Sequence, residues 1–277
     1  MSYRFAFEPL IAKPEEHPNL VISYDENVII IRDGFPKSVR HWLVIPRDNK
    51  VSRLDPIVAL ANANNYAMLK PYVEKAKRMI TQELQDQYGG DWLNFVRCGV
   101  HVVPSLANLH IHVILQDFNS NRMKHKKHYN SFTTPFFVPF EDFDPSPSRK
   151  TLLKNDSNYK KKKLQHLLRT KVSRKYDSDS DYDLEGEMHE NTHEELLESL
   201  NEETQHVDPA SQTILQVKAG SESGPLPYLE IALSERELMV KTSPMKCTYC
   251  LKSFSDNFKA LKSHLLEEFI SRYNQIS

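Results

Sequence analysis

The residues of this sequence best suited to chemistry lie in one short run, His101-Val-Val-Pro104-Ser105-Leu-Ala-Asn108-Leu-His110-Ile-His112-Val113. From Asn108 to Val113 polar and apolar residues alternate one by one, the period of a half-buried strand. That spacing predicts Leu109, Ile111 and Val113 in a core, with Asn108, His110 and His112 together on the other face. Pro104 and Ser105 predict a turn just before the strand, where a hydroxyl and several backbone N–H groups can gather. A neutral imidazole can displace a leaving group at phosphorus and hold the product covalently. Two imidazoles in a row, with Ser105 beside them and His101 upstream, therefore suit attack on a phosphate ester or anhydride. Two blander readings compete. A lone strand histidine usually just satisfies a carbonyl, and His-x-His on a strand is also a zinc pattern. The spacing offers no third ligand nearby, which puts metal second.

Other elements must position that run. Val28 to Ile31 and His41 to Ile45 read as strands, joined by the Gly34 and Pro36 turn and closed by Pro46, so an antiparallel hairpin is the economical reading. Asp55-Pro56 starts a helix well, since Asp accepts from first-turn N–H groups and Pro loses nothing at the first helical position. The apolar stripe from Leu60 to Leu84 is helical, and Pro71 predicts an interruption, giving two segments at about 56–68 and 70–87. Gly89-Gly90 ends that pattern, and Trp92 to Val103 reads as a strand leading into the histidine run. Beyond it, Arg122, Lys124, Lys126 and Lys127 cluster with His125 and His128 just before Tyr129-Asn-Ser131-Phe132. A charge run is usually only solvated. This one follows the candidate nucleophile and is interleaved with aromatic and hydroxyl groups, as in a grip on a nucleic-acid backbone. Thr133 to Phe140 reads as a closing strand, and Tyr3, Phe5 and Phe7 place three aromatics at the N-terminus, where packing onto the domain is the plain alternative.

From about Asp144 the composition changes. A Pro/Ser stretch leads to the basic block Lys160 to Lys163, then to an acidic tract from Asp177 to Glu203. So few apolar residues cannot offset the entropy of ordering, and a charged, disordered linker is expected, with a transient helix at Glu194 to Leu200. The organisation expected is 1–142 for the first domain, 143–227 for the linker and 228–277 for a helix and a small metal module. In that module Cys247-Thr-Tyr-Cys250 is followed, after thirteen intervening residues, by His264 on an amphipathic helix. This is a ββα finger spacing one residue longer than usual, with Phe254 and Leu261 as its small core. No second histidine follows. Glu268 stands one turn on, at i+4, as fourth ligand, with Glu267 as the fallback. Four protein ligands leave no open position, so the zinc is expected to be structural. A chance thiol pair on a helix is the alternative.

Composition bounds the setting. Net charge is −1, so only the local distribution of charge argues for nucleic acid. Three cysteines, two of them in the C-x-x-C pair, make a poor disulfide framework and suit a reducing, intracellular setting. No run of 18 apolar residues appears and Met1 to Phe5 lacks a secretion-signal core, so neither membrane nor export is expected.

The run from His101 to Val113 resembles the histidine-triad (HIT) motif, and its continuation through Gln116-Asp-Phe118 to Phe132 is similar to the aprataxin branch of that superfamily, in a form lacking an N-terminal FHA domain. The resemblance covers about residues 1–140 and 245–277 and implies an α+β HIT fold, an antiparallel sheet with packed helices, plus a C-terminal ββα-like zinc finger. It implies removal of AMP from adenylated DNA 5′ ends, abortive ligation products, with no catalytic metal. His110 falls at the family nucleophile, which becomes an adenylyl-histidine. His101 would serve the leaving phosphate, and His112 and Ser105 the non-bridging oxygens. Asp33 falls at the ribose-binding acid, with Lys37 and His41 completing the nucleotide site. Tyr3 would stack on the exposed base, and Lys124, His128, Ser131, Lys126 and Lys127 would contact DNA. One departure stands out: Asn108 occupies the place of the first triad histidine. The implied partner is double-stranded DNA with a nick or adenylated end, with RNA–DNA junctions as a second candidate. A nuclear monomer is expected, with cytoplasm as a second location, because the finger would occupy the usual dimer surface. Two other functions compete: a histidine-triad hydrolase of small adenylated nucleotides, and a catalytically weak zinc-finger DNA end-binder.

Overall fold

The computed structural model describes residues 3–146 and 231–273. The basic block, the acidic tract and the helix expected at Glu194 to Leu200 lie outside the described residues.

Six antiparallel strands form one sheet in the order β1-β2-β3-β5-β4-β6. They are β1 (Val21–Tyr24), β2 (Val28–Arg32), β3 (His41–Pro46), β4 (Val96–His101), β5 (Ile111–Leu115) and β6 (Phe137–Pro139). The expected hairpin is present, with β2 and β3 paired from Val28 opposite Pro46 to Arg32 opposite Trp42. The histidine run ends in β5, which sits between β3 and β4. Its residues are buried throughout, so the half-buried strand read from the alternation is corrected to one covered on both faces. The strand also begins only at Ile111, leaving His110 just ahead of it. One face is covered by the long helix α4 (Ala63–Tyr88), which touches β2, β3, β4 and β5. On the other, aromatic side chains close over the histidines, which a one-dimensional pattern does not show.

The helical break is also corrected. Pro71 lies inside α4, whose buried stripe Tyr66, Leu69, Val73, Ala76, Ile80 and Leu84 continues through it. Packing of that stripe outweighs one lost backbone hydrogen bond. The break falls instead at Asn62, after α3 (Pro56–Ala61), where the Asn62 side chain accepts from the N–H groups of Asn64 and Asn65. Asp55 caps α3 as expected. Two short helices, α1 (Glu8–Ala12) and α2 (Asn49–Ser52), complete the N-terminal part. The strand expected at Trp92 to Val103 is shorter, a 3₁₀ turn at Leu93–Phe95 followed by β4. The basic run folds into helix α5 (Lys126–Thr133), and of the strand expected at Thr133 to Phe140 only β6 remains. At Gly99 a Cβ would stand 2.4 Å from the Val138 carbonyl oxygen, so β4 and β6 approach this closely only because that residue is glycine.

The C-terminal segment supplies α6 (Leu233–Thr242), the hairpin β7 (Met245–Lys246) and β8 (Ser253–Ser255), and α7 (Phe258–Tyr273). Its small core is not separate: Met245, Cys247, Leu261 and Leu265 share one apolar cluster with Ile114, Phe118, Met123, Tyr129, Phe132 and Phe137. Polar bonds tie the same surfaces. The Tyr129 hydroxyl donates to the Lys246 carbonyl at 2.7 Å, the Thr248 hydroxyl to the Gln116 carbonyl at 3.0 Å, and Asn130 Nδ2 to the Val240 and Ser243 carbonyls. The fold is α+β, an antiparallel sheet with packed helices and a C-terminal finger, in line with the architecture that the resemblance implies.

Candidate active site

The sheet gathers histidines that are far apart in sequence. His41 on β3 and His112 on β5 lie on neighbouring strands, and His41 Nε2 is 2.9 Å from His112 Nδ1. The His101 and His112 rings are 4.6 Å apart, and the His110 and His112 rings 5.0 Å apart. Phe132 of α5 touches His41, His101 and His112, and the Phe7 and His110 rings meet in a T-shaped arrangement with centroids 5.3 Å apart. Burial disfavours the charged imidazolium, and it is the largest cause in every case. It holds His110 below the usual histidine range, His112 well below it, His41 at about 4 and His101 at about 3. All four rings are therefore neutral near pH 7.

Hydrogen bonds then assign the protons. The Asn108 carbonyl, 2.7 Å from His110 Nδ1, can only accept, so Nδ1 carries the hydrogen and Nε2 keeps its lone pair. The Lys37 N–H can only donate, and it lies 3.2 Å from His41 Nδ1. His41 Nε2–H consequently donates to His112 Nδ1, which leaves His112 with a hydrogen on Nε2. That Nε2 is buried without a partner, as is His101 Nε2. The result is one nitrogen with a free lone pair beside two buried polar nitrogens that no protein group satisfies.

Asn108 does not orient His110 through its side chain. Its Nδ2 donates to Glu8 Oε1 at 2.9 Å and to the Ser52 hydroxyl at 3.0 Å, pinning α1 and α2 to the motif. The contact to His110 is backbone, so the departure from the triad pattern leaves it unchanged.

Of the nucleotide-site candidates, Asp33 comes to 3.3 Å from His41 Nδ1. Lys37 donates from Nζ to the Phe35 carbonyl and feels Asp33, Arg122 and Lys124. Tyr3 is largely exposed and feels the Asp33 charge, which places it at the same mouth. Ser105 lies exposed in the turn between β4 and β5. Lys124 is exposed, and its N–H donates to His128 Nδ1, while burial and then Lys37 lower His128 to about 4. The Ser131 hydroxyl donates to the His128 carbonyl. Lys127 lies partly buried on α5. Lys126 is paired with Asp256 just after β8. The residues missed from sequence are Phe132, Glu8 and Ser52. Phe132 is one apolar residue within the basic run, on the buried face of α5, and the other two reach the motif only through tertiary packing.

In the finger, Cys247, Cys250, His264 and Glu268 bring one donor atom each to within 4.8 Å of one another. A tetrahedron with zinc bonds of about 2.0–2.3 Å has edges of about 3.3–3.8 Å, so these donors fit such an ion. Glu268 rather than Glu267 belongs to this set.

The described geometry agrees with comparisons to known proteins. A family model described as the scavenger mRNA decapping enzyme C-terminal binding region matches residues 5–128, and a C2HE / C2H2 / C2HC zinc-binding finger model matches residues 192–271. An aprataxin-like protein of Saccharomyces cerevisiae is 39% identical over 163 residues, 51% of this chain and 75% of that protein. The chain belongs to the aprataxin-like family. The aprataxin-like protein of Schizosaccharomyces pombe is 33% identical, with 54% of this chain and 68% of that protein aligned. Aprataxin of Ciona intestinalis is 37% identical over 46% of this chain but only 31% of its own length, so this chain matches a minor part of that relative. Among solved structures, Hnt3 in complex with DNA and guanosine superposes over 100% of both chains with a TM-score of 0.60 at 22% identity, a likeness of fold. Aprataxin-like membership accounts for both halves of the described chain, the histidine sheet and the finger.

Proposed function

We propose that this chain removes AMP from 5′-adenylated DNA ends through a covalent adenylyl-histidine on His110. The observation that carries the reading is the fixed tautomer of His110: a buried, neutral ring with Nδ1–H on the Asn108 carbonyl and a free Nε2 lone pair. In the first step Nε2 attacks the AMP phosphorus, a P–N bond forms, and the P–O bond to the DNA 5′-phosphate breaks. His112 Nε2–H donates to a non-bridging oxygen as its charge grows, helped by Ser105 in the turn ahead of the strand, and His101 serves the departing phosphate. In the second step water cleaves the P–N bond, releasing AMP and restoring the imidazole. Asp33 would hold the ribose hydroxyls, with Lys37 and His41 beside it.

DNA as substrate is supported by the exposed cations around the mouth and by the relatives, since Hnt3 has been solved with DNA. Lys124, His128 and Ser131 would meet the backbone, with Lys127 beside them, and Tyr3 would stack on a terminal base, worth ~1–3 kcal/mol whatever the sequence. Lys126, paired with Asp256, would flank these contacts. Nuclear work as a monomer fits this reading. Zinc in the finger would be structural: Cys247, Cys250, His264 and Glu268 would hold it, stapling a module too small to fold on its own core.

The test is turnover on a synthetic nick carrying 5′-AMP, set against a free dinucleotide polyphosphate. Faster deadenylation of the nick, abolished in His110→Ala, supports the reading. Preference for the dinucleotide, or DNA binding with no turnover, would replace it with one of the two competing functions.

A further inference from the structure

A C2HE donor set poses a charge problem that a C2H2 set does not. Two thiolates and a carboxylate around Zn²⁺ leave one net negative charge, whereas two thiolates and two neutral imidazoles leave none. Partly buried as Glu268 is, that charge calls for a cation beside it. Arg272, one turn further along α7, is placed to supply it. Its Nη2 is 3.5 Å from Glu268 Oε2, while Glu268 Oε1 faces His264 Nε2, also at 3.5 Å. The two carboxylate oxygens thus look in opposite directions, one into the donor cluster and one toward the guanidinium.

Arg272 is itself held. Its guanidinium lies 4.2 Å over the ring of Tyr249, the residue between Thr248 and Cys250 of the knuckle, and 5.2 Å from the ring of Phe95 ahead of β4. Those two rings are 5.8 Å apart. Tyr249 in turn donates its N–H to Cys247 Sγ at 3.4 Å. One side chain therefore touches the fourth ligand, the knuckle that carries the first two, and the turn that leads into β4.

We propose that Arg272 is a positioning residue of the metal centre: it turns Glu268 so that one oxygen faces the ion and balances the negative charge that a glutamate ligand adds. This rests on the reading that the cluster holds zinc. Because the role depends on a charged fourth ligand, it should vanish when that ligand is neutral.

The experiment measures zinc affinity of the full chain by competition with a chromogenic chelator, in a four-variant cycle. Arg272→Ala is expected to weaken zinc binding about 10–100-fold, the usual effect of removing a partner of a metal ligand. Arg272→Lys, which keeps the charge, should recover part of the loss. In a Glu268→His background, Arg272→Ala should change affinity less than about 3-fold, because a neutral imidazole needs no counter-charge. Equal losses in both backgrounds would overturn the proposal, since Arg272 would then act only through packing. Unchanged affinity in Arg272→Ala would overturn it as well. Failure of the wild-type chain to bind zinc would remove the zinc reading itself, which sets that failure apart from an indifferent Arg272.

Discussion

At the scale of single residues, the account turns on which groups fix the imidazoles. Asn108 separates two roles that a histidine at that position would blur: its carbonyl orients His110, while its side chain joins Glu8 and Ser52. Asn108→Ala should therefore lower stability by about 1–3 kcal/mol, the cost of breaking buried hydrogen bonds, and leave kcat within a few-fold. Urea unfolding beside steady-state turnover checks this, and a large fall in kcat at unchanged stability would contradict it. The depressed histidines also set a pH dependence. His41 and His128 at about 4 and His101 at about 3 bind fewer protons folded than unfolded, in a window reaching up to the ordinary value of 6.5. Their contribution is complete above that value and is lost as pH falls through the window. Asp117, raised by burial to about 7, acts in the opposite direction, its share fading as pH rises. With more histidines than carboxylates shifted, Tm should fall between pH 6.5 and 4, and His128→Gln should flatten the slope. At this scale the sequence was informative where neighbours are local, as with His110 and His112 two apart. That His41 belongs to the site came only from family likeness, and its bond to His112 was not legible at all, because it spans 71 residues and is made by strand pairing.

At the scale of elements, β4 is the strand that brings His101 to His112, and its packing against β6 depends on Gly99. A methyl there would stand 2.6 Å from a Phe137 ring carbon as well as against the Val138 carbonyl. Gly99→Ala should force β6 outward and cost ~1–3 kcal/mol by overpacking. Its mark would be faster amide exchange at Val102, whose N–H donates to the Phe136 carbonyl, and at Val100, which stands opposite Val138, with exchange in β2 unchanged. Unaltered exchange across β4 would show that β6 is not needed to hold the site. Element type was readable wherever a cap and a stripe agreed, as at Asp55, or where an apolar run met a turn, as at β2 and β3. It failed where burial overruled propensity. Pro71 sits inside α4 because the stripe on the sheet outweighs it, and the basic run became α5 because Tyr129, Asn130 and Phe132 are buried beneath the charges.

At the scale of the whole molecule, the finger and the histidine sheet share one core. Cys247 lies in the same cluster as Phe132, whose ring touches three of the active-site histidines. A chelator should therefore lower a single unfolding transition, seen equally by calorimetry and by fluorescence of Trp42 deep in the sheet. An early, separate melting of the finger that left the Trp42 signal in place would contradict the shared core. The ligand spacing was legible in the sequence, but the docking was not, since its contacts pair residues more than a hundred positions apart, such as Tyr129 with Lys246. The central claim, that His110 carries AMP covalently, is tested most directly by mixing excess protein with DNA bearing a 5′-AMP labelled at phosphorus and quenching early in a single turnover. The account predicts acid-labile label on the wild-type protein and none on His110→Ala; release of labelled AMP by a protein that never becomes labelled, or labelling of the His110→Ala chain, would contradict it.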